Sequence, residues 1–205
     1  MAYECVVGYD ILVVAAGVFG LVSGVIGLVI FWLVQSRDRD VLSSTWSDYA
    51  TAHALEFVPP KGEWPNRSLP RVAWTEDEAA WRLEAVPAGE GVRTRLVVRP
   101  HEALLGQLRC DVEITGLRDV EEKPAGFAAR VLDPALERAM LGFLQRDTAE
   151  LAYAAGNLTL EWAGGELNDA RIDHARSVLR HAAANLARAH AGRAAGELRL
   201  SESPA

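Results

Sequence analysis

The sequence predicts an α+β protein, with one N-terminal transmembrane helix followed by a single soluble domain that has a mostly antiparallel sheet and a long C-terminal helix. Three observations predict this class. An uncharged run extends from Ile11 to Val34, short alternating segments follow between residues 71 and 115, and apolar residues at helical spacing dominate beyond Asp133. Strands followed by helices, rather than alternating with them, are typical of α+β domains.

The uncharged run 11–34 is predicted to be a transmembrane helix. At ~1.5 Å per residue it is about 36 Å long, and a bilayer's hydrocarbon core is ~30 Å thick. Tyr9 and Trp32 lie near its ends, where aromatic residues favour the membrane interface. A cleaved signal peptide would need basic residues before the apolar run, whereas Glu4 and Asp10 precede it.

The residues flanking this helix predict its orientation. Arg37 and Arg39 follow the apolar run and no basic residue precedes it. Because cytoplasmic flanks are enriched in Lys and Arg, we expect the N-terminus outside and the large domain in the cytoplasm. Cys5 and Cys110 lie on opposite sides of the run, so they form no disulfide framework, which suits a reducing compartment.

Four glycines at helical spacing mark one side of the predicted anchor: Gly17, Gly20, Gly24 and Gly27. On a helix they fall within an arc of about 80°. Small residues allow the close backbone approach on which helix association in membranes depends, although membrane helices also tolerate glycine without using it. We interpret the stripe as a helix–helix interface, whose partner is another copy of the chain or another membrane protein in the lipid bilayer.

The predicted transmembrane helix separates a short N-terminus from the rest of the chain. The sequence divides into a short exposed N-terminus (1–10), the transmembrane helix (11–34), a charged juxtamembrane linker (35–43), an α+β cytoplasmic domain (44–192) and a flexible C-terminal tail (193–205).

The formal net charge is −7. Nucleic-acid binding rests on Lys and Arg neutralising phosphates, so this acidic balance argues against DNA or RNA as a partner.

The domain begins with a helix and continues with strands. Ser44-Thr45 can cap a helix that presents Trp46 and Tyr49 at helical spacing and ends before Pro59-Pro60, where a proline-rich loop begins. The hairpin turns are expected at Glu76-Asp77 and at residues 88–91. The predicted strands are Arg71–Trp74, Ala80–Val86, Val92–Val98, Gln107–Thr115 and Phe127–Leu132.

Alternation within these strands predicts which faces are buried. Trp81, Leu83 and Ala85 should share one face, where Leu96 and Val98 of the neighbouring strand meet them. In the strand from Gln107, the buried face should carry Leu108, Cys110, Val112 and Ile114.

Helices are predicted for most of the C-terminal part. Asp133-Pro134 is a typical helix start, and Asp147-x-x-Glu150 resembles a capping box for a short helix that ends at Gly156. A strand follows at Leu158–Trp162, and Asn168 caps a final helix that runs to about Ala191. The expected buried stripes are Leu136, Met140, Phe143 and Leu144 on the first helix, and Ile172, Ala175, Leu179, Ala182 and Leu186 on the last.

No residue set in the sequence indicates a chemistry. His174 and His181 share a helical face near Asp169 and Asp173, but Arg176 and Arg180 lie on the same surface, which favours ion pairs over a metal site. Cys110 and His101 could form a nucleophile and base, yet Cys110 falls on the predicted buried face. Gly89-Glu90-Gly91 lies between strands and is a hairpin turn rather than a phosphate loop. Catalytic, cofactor-binding and metal-binding residues therefore remain unassigned.

The sequence alone favours a membrane-anchored binding or scaffold module, which associates through the glycine stripe and offers its α+β domain to cytoplasmic partners. Two alternatives stay open. One is a membrane-tethered enzyme whose site is assembled from residues distant in sequence. The other is an accessory subunit of a larger membrane complex, with the stripe fitted against a partner's helix. A concave pocket with converging polar groups would favour the enzyme.

Overall fold

The structure is a computed structural model that describes the backbone of residues 4–62, 68–89, 91–101, 105–113, 115–144 and 148–201, without the side chains of residues 4–18, 31–35 and 192–201. The chain divides into two compact units, Met1–Val41 and Leu42–Ala205. The helices are α1 (Glu4–Ala52), α2 (Ala128–Val131), α3 (Pro134–Leu144) and α4 (Asp169–Ser201).

A single eight-stranded sheet forms the centre of the second unit. Its order is β1-β2-β3-β4-β8-β7-β5-β6, and neighbouring strands pair antiparallel. The strands are β1 (Glu56–Val58), β2 (Arg71–Glu76), β3 (Ala79–Ala88), β4 (Gly91–Arg99), β5 (Gln107–Glu113), β6 (Gly116–Lys123), β7 (Ala149–Ala154) and β8 (Asn157–Ala163). The α+β class with an antiparallel sheet and a long C-terminal helix is thereby confirmed.

The register of β3 against β4 follows the predicted alternation. Leu83 lies opposite Leu96, and Trp81 lies opposite Val98. All four side chains are buried on the face of the sheet that packs against the helices. This face is continuous because the apolar positions recur with period two on both strands.

The helices cover this buried face with the predicted stripes. Each predicted stripe residue of α3 and of α4 is buried in the same hydrophobic cluster as the inner face of the sheet. Within the second unit, α1 adds Leu42, Trp46, Tyr49 and Ala50 to that cluster. Burying such stripes is what stabilises short helices in globular domains, since propensity alone does not.

The other face of the sheet carries charged pairs. The Nε atom of Arg95 donates to Oε2 of Glu161 at 2.7 Å, and Nη1 of Arg95 lies 3.6 Å from Oε1 of Glu84. Arg93 also pairs with Glu161, at 3.1 Å. The arginines of these pairs are 34% and 37% exposed and the glutamates 14% and 15%, so this face carries a partly solvated network of ion pairs.

Two elements predicted from the sequence are wrong in type. Residues 127–132, predicted as a strand, contain helix α2, because Phe127 and Val131, one helical turn apart, are the residues that are buried. The short helix predicted from Asp147 to Gly156 is replaced by strand β7. Its apolar residues alternate with period two, and this pattern prevails over the capping-box signal, whose Asp147 lies outside the described residues.

Other differences concern extent. Strand β6 is an addition to the predicted set. The helix expected to begin at Ser44-Thr45 and to end before Pro59 is instead part of α1, which begins at Glu4 and ends at Ala52, and β1 occupies Glu56–Val58. Helix α4 continues to Ser201, past the end expected near Ala191. Among the residues described, no helix is both long and apolar enough to cross a membrane. The predicted segment 11–34 falls within α1, and its side chains at 11–18 and 31–34 lie outside the described part.

Gly106 allows a close approach that we expect any side chain to disrupt. A Cβ atom at this position would lie 2.5 Å from Cε2 of Phe127, and that ring is buried against Tyr153 with 5.6 Å between centroids. Gly106→Ala should therefore lower the free energy of unfolding by about 1–3 kcal/mol, measured by chemical denaturation. Gly91→Ala is the matched control, because its Cβ would meet only the Ala88 carbonyl, at 3.9 Å. Equal stability of the two variants would contradict this packing.

Candidate ligand-binding site

A cavity of about 500 Å³ lies between the β2–β3 turn, the end of β4 and α4. Its walls are mostly small or apolar, and its polar groups are few. Such a size and composition are typical of sites for small molecules. The lining residues are Glu76, Asp77, Ala79, Trp81, Val98, Pro100, His101, Arg180, Ala183, Ala184 and Ala187.

Local sequence explains why the cavity forms here. Asp77 and Glu78 both have positive φ, 50° and 62°, which a two-residue hairpin turn of the mirror-image type requires. Glu76 therefore pairs with Ala79, and Glu76 and Asp77 are held at this end of the sheet. Opposite them, α4 presents only methyl groups at Ala183, Ala184 and Ala187, which leaves the space open.

Glu76 is the centre of a polar cluster that borders the cavity. Its Oε2 accepts from Nη2 of Arg176 at 3.2 Å and from Nε1 of Trp74 at 3.3 Å, and its Oε1 pairs with Arg180. Partial burial raises the pKa of Glu76, but the hydrogen bonds from Arg176 and Trp74 and the charge of Arg180 outweigh it, so the pKa lies below its usual value. Glu76 is thus held ionised.

Tyr49 connects this cluster to α1. Its hydroxyl donates to Oδ1 of Asp173 at 2.9 Å and accepts from Nη1 of Arg176 at 3.0 Å. Burial raises the pKa of Tyr49 to about 12, so the phenol is neutral at physiological pH. Arg176 also lies over the Trp74 ring, 4.9 Å from its centroid. Side-chain contacts of this cluster therefore link α1, α4 and β2 beside the cavity.

Trp81 is the largest side chain in the cavity wall. It stacks on Trp74 with 5.7 Å between ring centroids and 12° between ring planes, and only 4% of it is exposed. Its buried Nε1 has no hydrogen-bond partner among the described residues. Buried donors are nearly always paired in folded proteins, so an unpaired one calls for an explanation.

The predicted glycine stripe lies in α1, in the first unit. A Cβ atom at Gly20, Gly24 or Gly27 would meet no atom within 4 Å, so the space beside these glycines is open. The surroundings of Gly17 lie outside the described residues. The stripe remains a prediction.

The structure places Cys110 and His101 in different surroundings. Cys110 is fully buried in β5, and burial raises the pKa of its thiol to about 12. A nucleophilic cysteine needs the opposite shift. His101 lines the cavity, whose described lining does not include Cys110.

The histidines and aspartates of α4 are not brought together either. His181 lies 3.0 Å from Oδ2 of Asp133, and the ring of His174 packs edge-on against Phe143. Asp173 pairs with Arg176 at 3.4 Å, as predicted, whereas Arg180 pairs with Glu76 on β2. Within the described ranges, no group of three His, Cys, Asp or Glu residues is placed to hold a metal ion.

Comparison with known proteins identified no relative of this chain. No protein-family model matches this chain. No curated protein and no solved structure matches it. The chain contains an α+β domain with one helix-covered sheet face and a cavity of about 500 Å³ at its edge.

Proposed function

We propose that the chain is a single-pass membrane protein whose cytoplasmic α+β domain is a binding module, with segment 11–34 as its anchor. One observation carries this proposal. Every residue from 19 to 30 is exposed, including Phe19 at 76%, Leu21 at 71% and Leu28 at 70%. A continuous apolar surface of this kind marks contact with a membrane or a partner, because exposing it to water is unfavourable.

The composition of the cavity supports binding of a small molecule. Its described lining contains no hydroxyl or thiol group, and its ionised Glu76 is engaged by Arg176 and Arg180. A cavity with apolar walls and a polar edge suits reversible recognition of a small molecule.

The open space beside Gly20, Gly24 and Gly27 supports a second contact in the membrane. A neighbouring helix that approached this side would meet backbone rather than bulky side chains. In this proposal the anchor recruits another copy or another membrane protein, and the domain binds its ligand in the cytoplasm.

Thiol labelling tests the anchor and its orientation. In a Cys5→Ser background, Ser203→Cys should be protected from a membrane-impermeant maleimide in intact cells and should react after permeabilisation, because Arg37 and Arg39 hold the domain inside. Cys5 of the wild-type chain should react with the maleimide in intact cells, because we expect the N-terminus outside. Cys110 should contribute no labelling, because it is buried. Labelling of Ser203→Cys without lysis would overturn the orientation. Release of the protein from membranes by alkaline carbonate would overturn the anchor.

A further inference from the structure

We infer that the outer face of strands β2, β3, β4 and β8, which is turned away from the helices, binds an acidic segment of a partner protein. This inference deepens the binding role proposed above and rests on it. It does not depend on the cavity, on the anchor or on the orientation of the chain in a membrane.

Positive charge is concentrated on this face, although the chain as a whole has a formal net charge of −7. Alternate residues of a strand share a face, and the register of the four strands brings five arginines and two glutamates to the outer one. They are Arg71, Arg82, Arg93, Arg95, Arg99, Glu84 and Glu161. The excess of positive charge attracts an anionic partner.

The two carboxylates of this face lie beneath the guanidinium groups that they hold. Oε2 of Glu84 lies 2.8 Å from Nε of Arg82, and Oε1 lies 3.6 Å from Nη1 of Arg95. Glu161 pairs in the same way with Arg93 and Arg95. The glutamate side chains are 14% and 15% exposed, whereas those of the three arginines are 34% to 46% exposed. A partner that approaches this face therefore meets guanidinium groups that are already held in place, which lowers the entropy cost of binding.

Two further arginines of the face have no acidic partner. Arg71 and Arg99 are exposed, and neither makes an ion pair or hydrogen bond with a described residue. Arg71 lies opposite Glu84 in the register, but Arg82 and Arg95 already share that carboxylate. A guanidinium group can bind a carboxylate through two parallel hydrogen bonds, so both arginines are free to receive carboxylates from another protein.

The face suits an acidic polypeptide better than a nucleic acid. Single-stranded nucleic acids bind by stacking their bases on aromatic side chains, whereas Trp74 and Trp81 of these strands lie on the side of the helices, opposite one another in the register. The net charge of the chain also repels a long polyphosphate. In an extended peptide, alternate side chains lie about 6.8 Å apart, which is also the spacing of Arg93 and Arg95 along β4.

Two peptides that differ in charge test the inference. An alternating Glu-Thr peptide of about ten residues carries carboxylates at this spacing, and a Gln-Thr peptide of equal length lacks them. Each is labelled with rhodamine and titrated with the full-length protein in uncharged detergent micelles, and binding is read from the fluorescence anisotropy. We expect saturable binding of the Glu-Thr peptide that weakens as salt is added, no binding of the Gln-Thr peptide, and weaker binding of oligothymidylate when it is used as a competitor.

Two double variants locate the charges that matter. Arg71→Gln with Arg99→Gln should weaken binding of the Glu-Thr peptide about fivefold, the loss expected for two exposed ion pairs. Its denaturation midpoint should match wild type, because both side chains are exposed and unpaired within the described chain. Arg130→Gln with Arg138→Gln is the matched control, since it removes two exposed arginines from α2 and α3; it should leave binding unchanged.

Four results would overturn the inference. They are the absence of saturable binding, equal binding of the two peptides, tighter binding of oligothymidylate, and equal effects of the two double variants. Any of these would exclude an acidic partner segment on this face and leave the anchor as proposed. Failure of the anchor is read separately, from the thiol labelling and the carbonate extraction.

Discussion

Replacing Glu166 by alanine should lower the free energy of unfolding by about 3–5 kcal/mol, the cost of removing one partner from a buried charge pair. Glu166 is 9% exposed and precedes α4. Its Oε2 accepts from Nε1 of Trp162 at 3.0 Å and lies 3.2 Å from Nη1 of Arg171. Its Oε1 accepts from the backbone N–H groups of Leu167 and Asn168. The substitution removes the acceptor of the Trp162 indole and of two backbone N–H groups, and it removes the carboxylate that pairs with Arg171.

Denaturation of the full-length protein in detergent, followed by tryptophan fluorescence, measures this loss. Glu166→Gln should lose less, because its amide oxygen still accepts a hydrogen bond although the charge opposite Arg171 is gone. Glu84→Gln is the control on the other face of the sheet, where the carboxylate pairs with Arg82 and Arg95, whose side chains are 46% and 37% exposed; the loss should be smaller there, about 1 kcal/mol. A Glu166→Ala variant as stable as Glu84→Gln would show that the start of α4 does not depend on this carboxylate.

Changing Gly20 and Gly24 together to leucine should abolish association of the anchor helix in a membrane-based helix-association assay. Two leucines would hold the facing backbones apart and remove the close contacts that a glycine surface allows. Both positions have open space around them in the structure, so the isolated helix should tolerate the change. Insertion into the membrane should persist, because leucine only increases the apolarity of the segment.

The matched control for this pair is Val22→Leu with Ile26→Leu, on the opposite side of the helix. These side chains are about half exposed, at 50% and 53%, and should face lipid, so association should stay at the wild-type level. If the wild-type anchor associates with neither itself nor a co-purifying membrane protein, the glycines are tolerated rather than used. The self-association part of the proposal would then be wrong.

The elements that could be predicted from the sequence are those whose buried apolar residues recur at a regular spacing along the element itself. The pairing of Leu83 with Leu96 follows from alternation in two neighbouring strands, and the buried stripe of α3 follows from spacing along one helix. Strand β6 could not be found this way, because six of its eight residues are exposed and their polarity does not alternate. Its place in the sheet comes from pairing with β5.

The candidate site could not be predicted, because it joins residues that are distant in sequence. Glu76 and Asp77 were expected only as turn residues, and Arg180 was expected to pair with an aspartate on its own helix. The fold instead brings Arg180 to Glu76. The one local signal was the alanine cluster at 183, 184 and 187, whose small side chains leave room beside α4.

The order of the strands has a consequence for biosynthesis. β1 to β4 form consecutive hairpins, but the free edge of β4 is completed by β8, the last strand of the chain. Until β8 leaves the ribosome, the nascent chain exposes this edge, which includes the apolar residues Leu96, Val97 and Val98. Late, long-range pairing of this kind slows folding and exposes a template for aggregation. We therefore expect aggregation of the emerging domain to be most pronounced while β5 to β8 are still being synthesised.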